Sequence, residues 1–383
     1  NRKDQNGRPV YTGSVSFNAS GNTLTTGQAM ADALLGNFRT YSEAEDDPVG
    51  FFRFTQVEGY GLDSWKINRK LSIEVGVRYQ WGQPTYTQQN NLASFDPARY
   101  SPANAVTLFA NGLIDASKGG NRYNGLVRAG DGVPQDQLGR VPIASNPRVA
   151  AVPAGAPRGL YNSQHLFAPR FSFAFALFSD NRTAIRGGFG LFYEKPEGNI
   201  VFSMVNVPPF LDSASYENGN LSNIKGGTAS ALAPFGAIES ISPQLVLPRT
   251  MNYSLSIQRE MPWGIFTEIA YVGNQGRHLI RRPDINAPLF AALVANAALP
   301  TAQRLSTNTL RPYKGFSTIN MYLSDANSNY NSLQVYATKR KGNSTFSVSY
   351  TWSKALSDTP GGGIGDGVPT GEDPGDRHVN YGP

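Results

Sequence analysis

Residues 71–82 constrain this chain more than any other stretch. Leu71, Ile73, Val75, Val77, Tyr79 and Trp81 alternate without a break against Ser72, Glu74, Gly76, Arg78, Gln80 and Gly82. Successive side chains of an extended strand point to opposite faces, so this run predicts a strand with one apolar and one polar side. The pattern recurs. Met251, Tyr253, Leu255 and Ile257 oppose Asn252, Ser254, Ser256 and Gln258, while Phe346, Val348, Tyr350 and Trp352 alternate with Ser and Thr. Weaker copies run through 171–177, 185–193, 265–271 and 333–337, and Val15 with Phe17 suggests one more near the start. Residues 52–67 read as a strand by composition, with faces that the pattern does not define.

The spacing between strands carries further information. Tight turns at 67–70, 179–182, 261–264 and 341–343 each join two strands, and between these hairpins lie long connections at 83–165, 195–248 and 274–327. Connections beyond about 15 residues are uncommon in compact domains. A short–long alternation with strands near ten residues predicts an all-β, antiparallel up-and-down transmembrane barrel wall of about nine crossings, with short periplasmic turns and long extracellular loops. Composition agrees: 16% of residues are charged, against roughly 25% in an ordinary soluble domain. The longest apolar run, around residues 287–295, is about ten residues, too short for a spanning helix. A soluble β-sandwich would need something to cover this much apolar sheet, and no sufficiently large helix is predicted. Short helices are expected only at 28–35, closed by Gly36, and at 289–299, closed by Pro300. Residues 315–323 are assigned to a loop, because one more crossing would break the rhythm.

Aromatic rings with a polar edge enrich at both membrane interfaces. Tyr79, Trp81, Tyr193, Tyr271, Tyr350 and Trp352 are expected at the extracellular interface, and Trp65 and Trp263 beside the short turns. On the opposite, polar parity, Glu74, Arg78, Arg186 and Glu268 are expected to face the lumen, where a buried charge must find a partner.

Several stretches resemble the barrel of TonB-dependent outer-membrane receptors, in their Oar-like branch. They include Asp63-Ser64-Trp65-Lys66-Ile67-Asn68-Arg69-Lys70-Leu71, Phe95-Asp96-Pro97, Phe167-Ala168-Pro169-Arg170-Phe171 and Ile185-Arg186-Gly187-Gly188-Phe189-Gly190-Leu191-Phe192-Tyr193. Ala270-Tyr271-Val272-Gly273-Asn274-Gln275-Gly276-Arg277, Asn329-Tyr330-Asn331-Ser332-Leu333-Gln334 and Ser349-Tyr350-Thr351-Trp352-Ser353-Lys354 follow in the same order. The resemblance implies a 22-strand type barrel in the outer membrane of a Gram-negative bacterium, plugged by an N-terminal domain. It further implies energy-coupled uptake of an extracellular ligand through the TonB complex. On this reading residues 1–383 are a middle section of the barrel, lacking the plug that would meet TonB and the C-terminal strands. Outer-membrane lipid and lipopolysaccharide are the expected surroundings. The alternative is an outer-membrane adhesion or signalling barrel that binds through its loops without transport.

Little in the sequence points to other chemistry. The chain has no Cys, which removes thiolate metal sites and Cys nucleophiles. His165, His278 and His378 are far apart and near loops, no Gly-x-Ser-x-Gly elbow occurs, and no catalytic residue, metal site or cofactor is expected. The acidic run Glu43, Glu45, Asp46 and Asp47 lacks calcium-loop spacing and reads as solvated loop. Gly361 to Gly367 lacks the Lys-Ser/Thr of a phosphate loop. The net charge of +6 is scattered among turns rather than gathered in a stripe, so no nucleic acid partner is expected.

Overall fold

The computed structural model of the protein describes residues 2–6, 13–140, 145–196, 198–224, 228–229, 232–358 and 382. The glycine run 361–367 and His378 lie outside these residues. The dominant element is a nine-stranded sheet. Eight of its strands form an antiparallel meander: β1 (Gln56–Lys66), β2 (Leu71–Gly82), β3 (Gln164–Ala176), β4 (Thr183–Tyr193), β5 (Arg249–Met261), β6 (Ile265–Arg281), β7 (Ile319–Lys341) and β8 (Ser344–Ser357). The ninth, Ile238–Ile241, adds in parallel to the far end of β7. Among the described residues β1 pairs only with β2, and β8 only with β7 in the sheet, so the wall is an open arc.

The register fixes the two faces. Phe171 stands between Val75 and Phe189, and Ile257 between Ile185 and Ile269. Within such rows the odd-numbered apolar residues of β2 to β7 share one side with the even-numbered ones of β8. That side is uncovered: Val75, Val77, Phe171, Leu255, Ile257, Ile269, Val348 and Tyr350 are all exposed. On the other side, rows such as Ser64–Glu74–Ser172–Gly188–Ser254 are polar and small. Gly187 is explained by packing: a methyl there would sit 2.4 Å from the Phe173 ring that lies across it. Among the described residues no helix is long and apolar enough to cross a membrane.

The long connections fold into a cap at one end of the wall. Its core holds Phe95, Leu126, Ile200, Met204, Phe210, Phe235, Ile241 and Phe316, all 3% exposed or less. Two buried serines stitch it together: Ser94 and Ser240 share a 2.8 Å hydrogen bond, Ser240 Oγ donates to Phe95 O and Ser94 Oγ accepts from Ile241 N. Asn286, fully buried, donates to the carbonyls of Tyr313, Phe316 and Ser317 and accepts from Tyr313 N. Backbone groups in these irregular segments have no ladder, so side chains supply their partners.

Three expectations need revision. Residues 315–323 do not all loop: β7 begins at Ile319 and runs for 23 residues, continuing past the membrane-spanning length into the cap. The strand near Val15 forms over Ser14–Ser16 but joins a separate four-stranded sheet with Asn37–Ala44 and Ser213–Asn220. Residues 52–67 are two strands, Val49–Arg53 in the cap and β1 in the wall. Both expected helices are present, α1 (Ala29–Leu35), ended by Gly36 at φ 77°, and α2 (Phe290–Ala297).

Candidate functional site

The polar face of the wall is the surface on which charged side chains gather. Glu74 lies between Ser64 and Ser172, Arg78 between Tyr60 and Ala168, Arg186 between Ala174 and Ser256, and Glu268 between Gln258 and Tyr336. All four therefore sit on the polar side, but they do not meet one another. Arg78 forms an ion pair with Glu58, which also accepts from Gln80 Nε2 at 2.8 Å. Glu268 accepts from Gln258 Nε2 at 2.9 Å. Among the described residues Glu74 and Arg186 have no ion-pair partner.

Two further residues were not anticipated. Arg170 has glycine neighbours on both sides, Gly76 and Gly190, and its guanidinium lies 4.8 Å from the centre of the Phe192 ring. With Glu58, Tyr60, Leu62 and Arg78 it lines a recess of about 450 Å³. Glu58 was legible in principle: folding the chain about the 67–70 turn brings residue 58 opposite residue 80, beside Arg78. The poor alternation of β1 hid this, since Tyr60 and Leu62 lie on its polar side and Asp63 on its apolar side.

The predicted interface aromatics all project from the apolar parity or from a turn. Trp65 faces Ile73, Trp81 faces Val57 and His165, and Tyr193 faces Arg249. Tyr271, Leu333 and Trp352 form one row, and Val335 with Tyr350 the next. Trp263 is 83% exposed in the short turn at φ 68°. Tyr79 meets His165 through a 2.7 Å hydrogen bond between its hydroxyl and Nδ1, and His278 Nδ1 lies 3.2 Å from Ser324 O.

At the cap end of the polar face, Lys195 lines a small recess with Gln56, Gln80 and Tyr161 at the mouth of the wall. Its Nζ is buried without a hydrogen-bond partner and stands 3.2 Å from the centre of the Phe54 ring. Burial pushes this ammonium down to about 8, and the same cause raises the Tyr161 phenol. In the acidic run, Arg148 clamps Glu45 and Asp46 together, and Glu43 accepts from the Tyr41 hydroxyl at 2.6 Å. The solvated-loop expectation thus gives way to an ion-paired strut for two of its four carboxylates and a hydrogen bond for a third. Among the described residues no group of three or more His, Cys, Asp or Glu side chains is placed to hold a metal ion.

A wall with one uncovered apolar face, antiparallel strands and short turns at one end is that of an outer-membrane β-barrel. A family model described as outer membrane beta barrel domain matches residues 1–383, and the chain belongs to that family. Its place is accordingly the outer membrane of a Gram-negative bacterium. Among solved structures it is similar to the FrpB iron transporter of Neisseria meningitidis (8% identity, 83% of this chain and 40% of that one, TM-score 0.32). The outer membrane transporter YddB of Escherichia coli (11%, 84% and 34%, 0.35) and the siderophore receptor PirA of Pseudomonas aeruginosa (10%, 82% and 50%, 0.32) are similar to a comparable degree. The chain spans half or less of the length of each of these structures. No curated protein sequence matches it.

Proposed function

We propose that this chain is wall and extracellular cap of a TonB-dependent transporter, a middle section of a larger barrel that takes up an extracellular ligand. The observation that carries the reading is the pairing of an uncovered apolar face with a polar face whose Glu74, Arg170 and Arg186 lack ion-pair partners among the described residues. Charges enclosed in a lumen need counter-charges, and a plug filling that lumen would supply them. Glu74, Arg186 and Glu268 are thus plug-facing residues, while Arg78 is satisfied first by Glu58 within the wall. The sequence resemblance to TonB-dependent receptors points the same way, and iron and siderophores, named for the similar structures, are the first ligands to try. On this reading the chain's own residues bind and enclose, and they perform no bond chemistry.

The test is uptake by cells making the whole protein, with labelled ferric siderophores, haem, copper, oligosaccharides and peptides. Accumulation of one of these that disappears on deletion of TonB is expected. Surface binding without accumulation would replace transport by the adhesion reading. Charge reversal Arg186→Glu separates the plug contact from the wall, because among the described residues no carboxylate pairs with Arg186. Unchanged uptake and unchanged detergent stability in that variant would remove it from the plug interface.

A further inference from the structure

The apolar face of the wall ends, at the cap end, in a vertical order of chemistry that matches a phosphorylated glycolipid. Arg249 and Arg277 are direct cross-strand partners on β5 and β6, on the membrane-facing parity, with Tyr193 on the far side of Arg249. Like charges placed opposite each other are destabilising. Among the described residues neither has a carboxylate in ion-pair reach, and Arg249 Nε is buried without a partner. Arg277 is held in place by its donations to Gly276 O at 2.8 Å, Ser328 O at 3.0 Å and Gln275 Oε1 at 3.0 Å.

Below the arginine pair runs a rail of amides and hydroxyls on the same face. Gln275 Nε2 donates to Tyr253 Oη (3.4 Å), and the Tyr253 and Tyr271 hydroxyls both donate to Asn331 Oδ1 (3.1 and 2.6 Å). Gly273 makes this possible, since a methyl there would lie 2.1 Å from the Tyr253 ring. Lys354 is the cross-strand partner of Asn331. Below the rail come Leu255, Ile257, Ile269, Leu333 and Val335, all exposed.

From cap to turn the order is cations, then neutral hydrogen-bonding groups, then aliphatic surface. We propose that this strip is a binding site for one phosphorylated glycolipid of the outer leaflet. Its phosphate would sit between Arg249 and Arg277, its sugar against the Tyr253–Asn331 rail beside Lys354, and its acyl chains on the isoleucine rows. Charge complementarity selects the occupant: two cross-strand arginines with no carboxylate in ion-pair reach among the described residues take an oxyanion through charge-assisted hydrogen bonds. Short turns are periplasmic in such barrels, so the cap end faces the leaflet in which phosphorylated glycolipid resides. The site does not depend on which ligand is transported.

The experiment uses the whole protein in detergent, titrated with bisphosphorylated lipid A, with fully dephosphorylated lipid A, and with inorganic phosphate as competitor. The expected result is binding about tenfold tighter for the bisphosphorylated lipid. That preference should vanish in R249Q/R277Q and persist in K339Q, a lysine on the same face beside the short turns. Equal binding of the two lipids by the unaltered protein would overturn the site, even if the double variant failed to fold. A double variant that keeps its heat-modifiable band and its preference for the phosphorylated lipid would overturn it as well. Displacement of the lipid by millimolar inorganic phosphate would show a bare anion site and would also reject the proposal.

Discussion

The wall and the cap solve the folding problem in opposite ways. The wall points its large apolar side chains outward, where Ile257 and Val348 are 51% and 70% exposed, and keeps Ser and Gly within. The cap buries Phe95, Met204 and Phe316 almost completely and ties its backbone with Ser94, Ser240 and Asn286. One region takes its apolar burial from lipid and the other from its own side chains. The same apolar residue is therefore worth different things in the two places, and substitutions can separate them.

The largest effect belongs to the cap. Phe95 packs against Tyr313 and Phe316 with ring centres 4.9 and 5.2 Å away. Phe95→Ala should cost about 3–5 kcal/mol through the cavity it leaves, read as rapid proteolysis of the connections while the wall keeps its heat-modifiable mobility. Loss of both together would mean that wall and cap unfold as one unit. The parallel strand Ile238–Ile241 on β7 and the Arg282–Glu239 ion pair are the contacts through which that coupling would pass.

Next comes a matched pair of charges. Ile257→Arg on the wall should cost about 2–4 kcal/mol if its row lies near the bilayer midplane, measured by urea titration of the protein in lipid vesicles. Leu34→Arg on α1 starts from a more exposed side chain, 83%, yet should change stability by no more than about 0.5 kcal/mol. The exposure is the same in kind; the surrounding medium differs. Equal costs at the two positions would contradict the assignment of this face to lipid. A smaller effect, about 1–3 kcal/mol, is expected for Ser240→Ala, which takes away the hydroxyl that bonds the Phe95 amide and carbonyl in the cap core.

This contrast also explains what the sequence revealed. Period-two alternation is a local signal, so β2, β5 and β8 were legible with their faces, and the tight turns between strands followed from them. The cap core draws on residues as far apart as Phe52, Phe210 and Phe316, with no period to mark them. Edge strand β1 broke the pattern by placing Leu62 on the polar side, where it lies over Gly76, and so hid the partnership of Glu58 with Arg78. Helix α1 was legible as a helix but not in its orientation. Its buried residue is Asp32, which accepts from Thr25 Oγ1, Thr26 N and Thr26 Oγ1, while Met30, Leu34 and Leu35 face outward. The first two of those bonds hold the Asp32 carboxyl below its usual range, and no helical period encodes a carboxylate turned inward.

The smallest effect lies at the junction of the two regions. Folding lowers the Lys195 pKa from 10.5 to about 8, because its amine is buried over Phe54 without a hydrogen-bond partner. Below pH 8 both folded and unfolded forms are protonated, and the folded state bears the full cost of the buried charge. Between about pH 8 and 10.5 the unfolded chain holds more protons than the folded one, so this group's contribution to stability rises with pH. Lys195→Met keeps the aliphatic packing and removes the charge. It should melt higher than the unaltered protein at pH 7, and the gap should shrink as pH rises from 8 to 10. Taking the difference between the two proteins cancels alkaline titrations elsewhere. A gap that stayed constant with pH would show that Lys195 is solvated at the mouth of the wall, and that the seal between cap and wall there is open to water.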